Sequence, residues 1–111
     1  MPVDNRDIII VLTHLPDRAT ATRLAGLLVE QRHAACVSIL AECTSIYRWE
    51  GRVKTATEVP MLIKTCRSAY SRLEEVILAN HPYELPEIVS VPVEGGLPAY
   101  LDWVAVQSVI E

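Results

Sequence analysis

The stretch His81-Pro82-Tyr83-Glu84-Leu85-Pro86-Glu87 holds the side chains with the most chemistry to offer: an imidazole and two carboxylates on a loop stiffened by two prolines. Imidazole is a borderline ligand suited to copper and zinc. Glu84 or Glu87 could add a carboxylate, or fix the ring tautomer from behind. The same ring has a second reading, because it ends a helical stretch, where a partly cationic imidazole is favoured by the helix dipole. Three cysteines, Cys36, Cys43 and Cys66, are softer donors, but an odd number without C-x-x-C spacing fits reduced thiols and not a disulfide framework. Cys36 and Cys43 fall on opposite faces of one extended segment, roughly 23 Å apart. If Glu50-Gly51 is a two-residue turn, Cys36 stands opposite Thr65 and next to Cys66, and such a pair could hold Cu(I). Buried, inert thiols are the alternative. His14 and His33 have no H-x-H or H-x-x-x-H spacing to support a preformed site. No G-x-S-x-G, P-loop, H-E-x-x-H or dinucleotide fingerprint occurs, and the chain is expected not to be an enzyme.

These residues must be positioned by the elements around them. Ile8-Ile9-Ile10-Val11, within Asp7 to His14, reads as a strand buried on both faces. Asp17 caps a helix with Ala21, Leu24, Ala25 and Leu28 on one face. Ala35 to Glu50 and Arg52 to Thr65 read as one long hairpin closed by Glu50-Gly51. Pro60 cannot donate a ladder hydrogen bond, so a bulge or break is expected near it. Ser68 starts a second helix, in which Ala69, Leu73, Val76, Ile77 and Asn80 share a face until Pro82 ends it. Ile88 to Val93 is another buried-looking strand. After the Glu94-Gly95-Gly96 turn and Pro98, Leu97, Leu101, Val104 and Ser108 mark the inner stripe of a last helix. The order β-α-β-β-α-β-α is α+β: a ferredoxin-like split βαβ arrangement (βαββαβ) with a four-stranded antiparallel sheet, two helices on one face and a C-terminal helix.

A hairpin limb of about 14 residues reaches roughly 45 Å, whereas a 100-residue domain has a radius of gyration near ~13 Å. The far half, with Ile46, Tyr47, Trp49 and Val53, therefore needs another chain to cover it, with Tyr47 and Trp49 as interface anchors. Closed symmetric assembly supplies that cover. Glu58 and Lys64 project from one face of the same strand and, with Tyr83 and Trp103, could line a cleft between subunits that suits a small polar ligand. A structural ion pair at the interface is the plainer reading of the same residues.

Ala34-Ala35-Cys36-Val37, Ser45-Ile46-Tyr47-Arg48-Trp49-Glu50-Gly51, Glu58, Ile63-Lys64-Thr65, the His81 to Glu87 loop and Tyr100-Leu101-Asp102-Trp103 together resemble the CutA family of divalent-cation-tolerance proteins. The match runs from about Ile8 to Trp103. The resemblance implies a ferredoxin-like fold, a homotrimer whose hairpins pair between subunits, an architecture similar to that of the PII signalling proteins, and a link to copper and other divalent metals. No obligatory cofactor is implied; copper or another divalent cation is the expected ligand. A PII-like trimer that binds a small molecule or a partner protein in its intersubunit clefts is the alternative.

Composition narrows the remaining classes. The 111 residues suit one domain, 1–111. Half of them are hydrophobic, which leaves apolar surface for self-association. Fourteen acidic against ten scattered basic residues give a net charge of -4 and no stripe for phosphates, so no nucleic-acid partner is expected. No apolar run approaches the ~20 residues of a membrane span, and the polar N-terminus has no secretory h-region, so the expected location is the cytoplasm, away from the membrane.

Overall fold

The computed structural model describes residues 7–108. The β-branched run at the start forms β1 (Ile8–Leu15), followed by α1 (Arg18–Glu30), β2 (Cys36–Ile39), β3 (Cys43–Trp49), β4 (Arg52–Cys66), α2 (Tyr70–Asn80), β5 (Ile88–Pro92) and α3 (Pro98–Gln107). All pairings are antiparallel, in the order β2-β4-β1-β5, with β3 continuing alongside β4. This is the expected ferredoxin-like α+β arrangement, with the first hairpin limb divided in two so that the sheet counts five strands.

Alternation along the strands assigns the layers. Ile9, Val11 and Leu15 of β1 and Val59, Met61 and Ile63 of β4 face α1 and α2, where Leu24, Leu28, Leu73 and Ile77 complete the main core. Ile8 and Cys66, a cross-strand pair of opposite parity, pack with Leu101, Val104 and Ala105 of α3, which therefore meets the sheet on its other face. Elsewhere that second face is open. Ile10, Leu12 and Leu62 are only half-buried there, and Val89 and Val91 of the edge strand β5 are 47% and 44% exposed. The two-sided burial expected for β1 and the buried character expected for β5 are thus not met among the described residues, where no helix covers this face beyond α3.

The break expected near Pro60 exists, but β4 itself runs unbroken for 15 residues. The interruption falls opposite, at Leu40 to Glu42, between β2 and β3. Pro60 accepts from the Leu40 N–H at 3.0 Å. Its own missing N–H therefore lies on the same side, and the return bond to the Leu40 carbonyl is never made. Arg18 supplies the missing donor, with its guanidinium 3.0 Å from the Leu40 oxygen. The register slips by one residue across this gap: Cys43 pairs with Glu58, whereas Cys36 pairs with Lys64 and not Thr65 as the two-residue turn alone required.

That turn is formed as expected. Glu50 and Gly51 both have positive φ, 51° and 77°, the combination that matches the right-handed twist of a tight hairpin. The second helix begins later than Ser68, because Arg67–Ala69 is a 3-10 turn leading into α2. The molecule is 49 Å along its longest axis and 25 by 23 Å across. Beyond Val59 the hairpin has left β1 behind, and its side chains Ile46 and Val53 are 71% and 65% exposed.

Candidate functional site

Where the hairpin leaves the sheet, it meets the loop that follows α2. Between them lies an open cleft of about 1060 Å³, lined by His14, Tyr47, Trp49, Lys54, Glu58 and residues 82–89 of the loop and β5. Glu58 opens the single-residue register β3 shares with β4, and its even position turns it away from the helices. Although polar, it is only 8% exposed.

The loop is fastened by His81. Extended at the C-cap of α2, with φ of -96°, it places its Nε2 2.6 Å from the carbonyl oxygen of His14, and its Nδ1 accepts from the Tyr83 N–H at 3.1 Å. With Nδ1 accepting, Nε2 is the nitrogen that donates to the β1 carbonyl. Its ring also packs on Tyr83 at 4.7 Å between centroids. Both nitrogens are engaged, and a metal bound to His81 would have to displace one of these bonds.

Tyr83 is held in turn against Glu58. Burial first, and then its hydrogen bond to the Glu58 carboxylate, push the phenol up to about 12, so it stays a neutral donor throughout the physiological range. Glu58 also faces His14, whose Nδ1 is 3.5 Å from its Oε1; Glu87 reaches the same nitrogen at 3.9 Å. His14, set aside by sequence spacing, is therefore the centre of the cluster. Its partners arrive from β4 and from the loop, more than forty residues away in each case, and no local motif could have signalled them.

Other expected groupings are distributed differently. Lys64 is on the open sheet face beside β2, with Nζ 3.5 Å from Ser38 Oγ and 4.0 Å from Cys36 Sγ. Trp103 stacks on Tyr100 along α3 at 5.7 Å. Within one chain, Glu58 and Tyr83 are together while Lys64 and Trp103 are elsewhere. Cys36 and Cys66 are separated by partners: Cys66 Sγ turns to Ser68 Oγ at 3.3 Å and the Ser108 carbonyl at 3.6 Å, beneath α3. Cys43 lies on β3, 3.9 Å from Ser45 Oγ. Glu84 is exposed on the cleft rim. Tyr47 is 43% exposed and Trp49 half-buried, both on the hairpin wall. Among the described residues no group of three or more His, Cys, Asp or Glu side chains is placed to hold a metal ion. No helix among them is long and apolar enough to cross a membrane.

Residues 9–107 match the family described as CutA1 divalent ion tolerance protein. The chain is 46% identical over 94 residues to a divalent-cation tolerance protein CutA from Thermus thermophilus, which covers 85% of this chain and 91% of that one. It is 40% identical over 95 residues to the rice protein CutA 1, chloroplastic, covering 86% of this chain but only 54% of the rice one, so it spans about half of that relative's length. The solved structure of the Thermus thermophilus protein superposes with a TM-score of 0.89 at 42% identity, over 91% of this chain and 98% of that one.

Proposed function

Because the chain belongs to the CutA1 divalent ion tolerance family, we propose that it serves divalent-cation tolerance as a cytoplasmic homotrimer that binds copper or another divalent cation without catalysing a reaction. The observation that carries this reading is the unfinished surface of the single chain. Ile10, Leu12, Leu62, Val89 and Val91 form an apolar sheet face without a helix over it, and the hairpin tip carries exposed Ile46 and Val53. Surfaces of this kind are covered by copies of the same molecule when assembly closes symmetrically. In the trimer, Tyr47 and Trp49 anchor the hairpin against a neighbour, and Lys64 and Trp103 of one copy join Glu58 and Tyr83 of another to line a shared cleft. The cation is taken by the His81 loop with Glu84 and Glu87, with the Cys36 thiol as a softer donor on the sheet face.

Sedimentation velocity tests the assembly: a trimer is expected at micromolar concentration, and a monomer there would overturn the reading. Calorimetric titration with copper and with zinc chloride, repeated on His81→Ala, tests the cation contact. Weaker binding in the variant is expected, and equal affinity would remove His81 from the contact.

A second reading, a PII-like trimer that takes a small molecule or a partner protein, draws on the cleft itself, whose walls combine Tyr47, Trp49 and Tyr83 with Lys54 and Glu58. A ligand that binds only the folded state must raise its thermal midpoint. No shift with nucleotides or organic anions would count against this reading.

A further inference from the structure

We infer that the cleft between the hairpin and the loop after α2 takes an elongated organic zwitterion, with its ammonium end on the Glu58 floor, its carboxylate end at Lys54 and an apolar body between them. The inference rests on the small-molecule reading above and names the ligand class. In it Tyr47 and Trp49 are walls of the cleft and not anchors for a neighbour.

The register of the hairpin builds the first wall. Cys43 pairs with Glu58, Ser45 with Ala56 and Tyr47 with Lys54. Side chains of directly opposed residues project to the same side, so these three ranks share one face. Depth along that face is graded, because Lys54 is exposed, Ala56 half-buried and Glu58 buried. Ala56 and Ser45 have the smallest side chains of the three ranks. They leave a notch midway along the wall, between the Tyr47 ring and the Glu58 carboxylate.

The loop builds the opposite wall. Tyr83, Leu85 and Ile88 line it, on a backbone stiffened by Pro82 and Pro86. Two largely apolar walls with a few charged groups at the ends, around a volume of about 1060 Å³, suit an organic molecule. An inorganic ion would leave the aromatic and aliphatic surface unused.

Charge sets the orientation. At the deep end the Glu58 carboxylate accepts from the Tyr83 phenol and faces His14, with Glu87 beside it on the rim. Lys54 is the lysine of the lining and stands at the shallow end, four residues back along the same face of β4, roughly 13 Å away. A molecule that complements both ends has an ammonium group and a carboxylate about 10 Å apart, once the reach of the two side chains is allowed for. A ligand with anionic groups alone meets Glu58, Glu84 and Glu87 against one lysine, and like charges brought together are costly.

The test is calorimetric titration of the full chain with three probes of equal length: ω-aminooctanoate, octylamine and octanoate. The zwitterion is expected to bind about three- to fivefold more tightly than octylamine, the scale of one exposed ion pair, and octanoate to give no measurable heat. Lys54→Met, at an exposed position that leaves folding intact, should erase the difference between the zwitterion and octylamine. Ala56→Leu fills the notch and should weaken both by about tenfold, whereas Thr55→Val, on the other face of the same strand, should leave all three unchanged. Circular dichroism and sedimentation must match the wild type in each variant used. Equal affinity of the wild type for the zwitterion and octylamine, or an undiminished preference in Lys54→Met, would overturn the inference. A small-molecule cleft would still stand in that case if a nucleotide or another organic anion raised the thermal midpoint. No response to any of these compounds would overturn both.

Discussion

Among the described residues, His33 and Thr13 are buried with an unpaired side-chain polar atom, the His33 Nδ1 and the Thr13 Oγ1. Burial, and then the Arg72 charge, lower the His33 value below its ordinary 6.5. Above that ordinary value both folded and unfolded chains hold a neutral ring. As pH falls through it towards the lower folded value, the unfolded chain takes up a proton that the folded one resists, and stability is lost over that window. The urea midpoint of the wild type should therefore drop more between about pH 7.5 and pH 5.5 than that of His33→Gln; parallel drops would place the acid sensitivity elsewhere. Thr13 is fully buried on the helix-facing side of β1, so Thr13→Val removes an unsatisfied hydroxyl and should raise stability by about 1 kcal/mol in thermal or urea unfolding. At this scale the sequence was only partly legible. His81 stands out by its proline-stiffened loop, yet its hydrogen bond to His14 spans 67 positions, and nothing local encodes that distance. His14 was passed over for the same reason, since its carboxylate partners are neighbours only after the sheet has formed.

Among the elements, the hairpin shows how far local rules extend. Alternation and the Glu50-Gly51 pair were sufficient to place the hairpin and its turn, though not the division of its first limb into two strands, because two-residue hairpin turns demand positive φ at both central residues. Gly accepts that geometry and Glu does so under strain, so Glu50→Asn should stabilise the protein by several tenths of a kcal/mol, whereas Gly51→Ala should destabilise it by about 1 kcal/mol. Differential scanning calorimetry on the pair would show opposite shifts if the turn has this form. The one-residue slip opposite Pro60 was not legible in detail. A missing donor can be placed on the chain, but which strand yields depends on Arg18 reaching the Leu40 carbonyl from α1. Arg18→Ala removes that substitute donor and should cost about 0.5–1 kcal/mol, a modest figure because water can reach the exposed carbonyl. An unchanged midpoint would mean that water replaces the guanidinium fully.

For the whole molecule, the length arithmetic of the hairpin anticipated an elongated shape, and the 49 Å long axis bears it out. The same arithmetic did not foresee the bare sheet face, because a run of apolar β-branched residues looks alike whether the second face is covered by the chain's own helices or by another copy. If copies cover it, Leu12→Asp should drive the assembly apart, and so should Trp49→Asp at the hairpin. Both should appear as lighter species in sedimentation velocity. Retention of the wild-type sedimentation coefficient by Leu12→Asp would mean that this face stays in water.

The seven residues from Arg52 to Glu58 run past the end of β1, so among the described residues one flank of β4 there has no strand beside it. A bare edge rich in threonine is a template on which identical chains can stack without limit into fibrils. Arg52 and Lys54 on that segment, with Arg48 across the turn, outnumber Glu50 and Glu58 and leave each such edge with an excess of positive charge. Like charges disfavour in-register stacking and leave a staggered neighbour as the better match. On these grounds the charge pattern of the protruding arm works against open-ended edge-to-edge association.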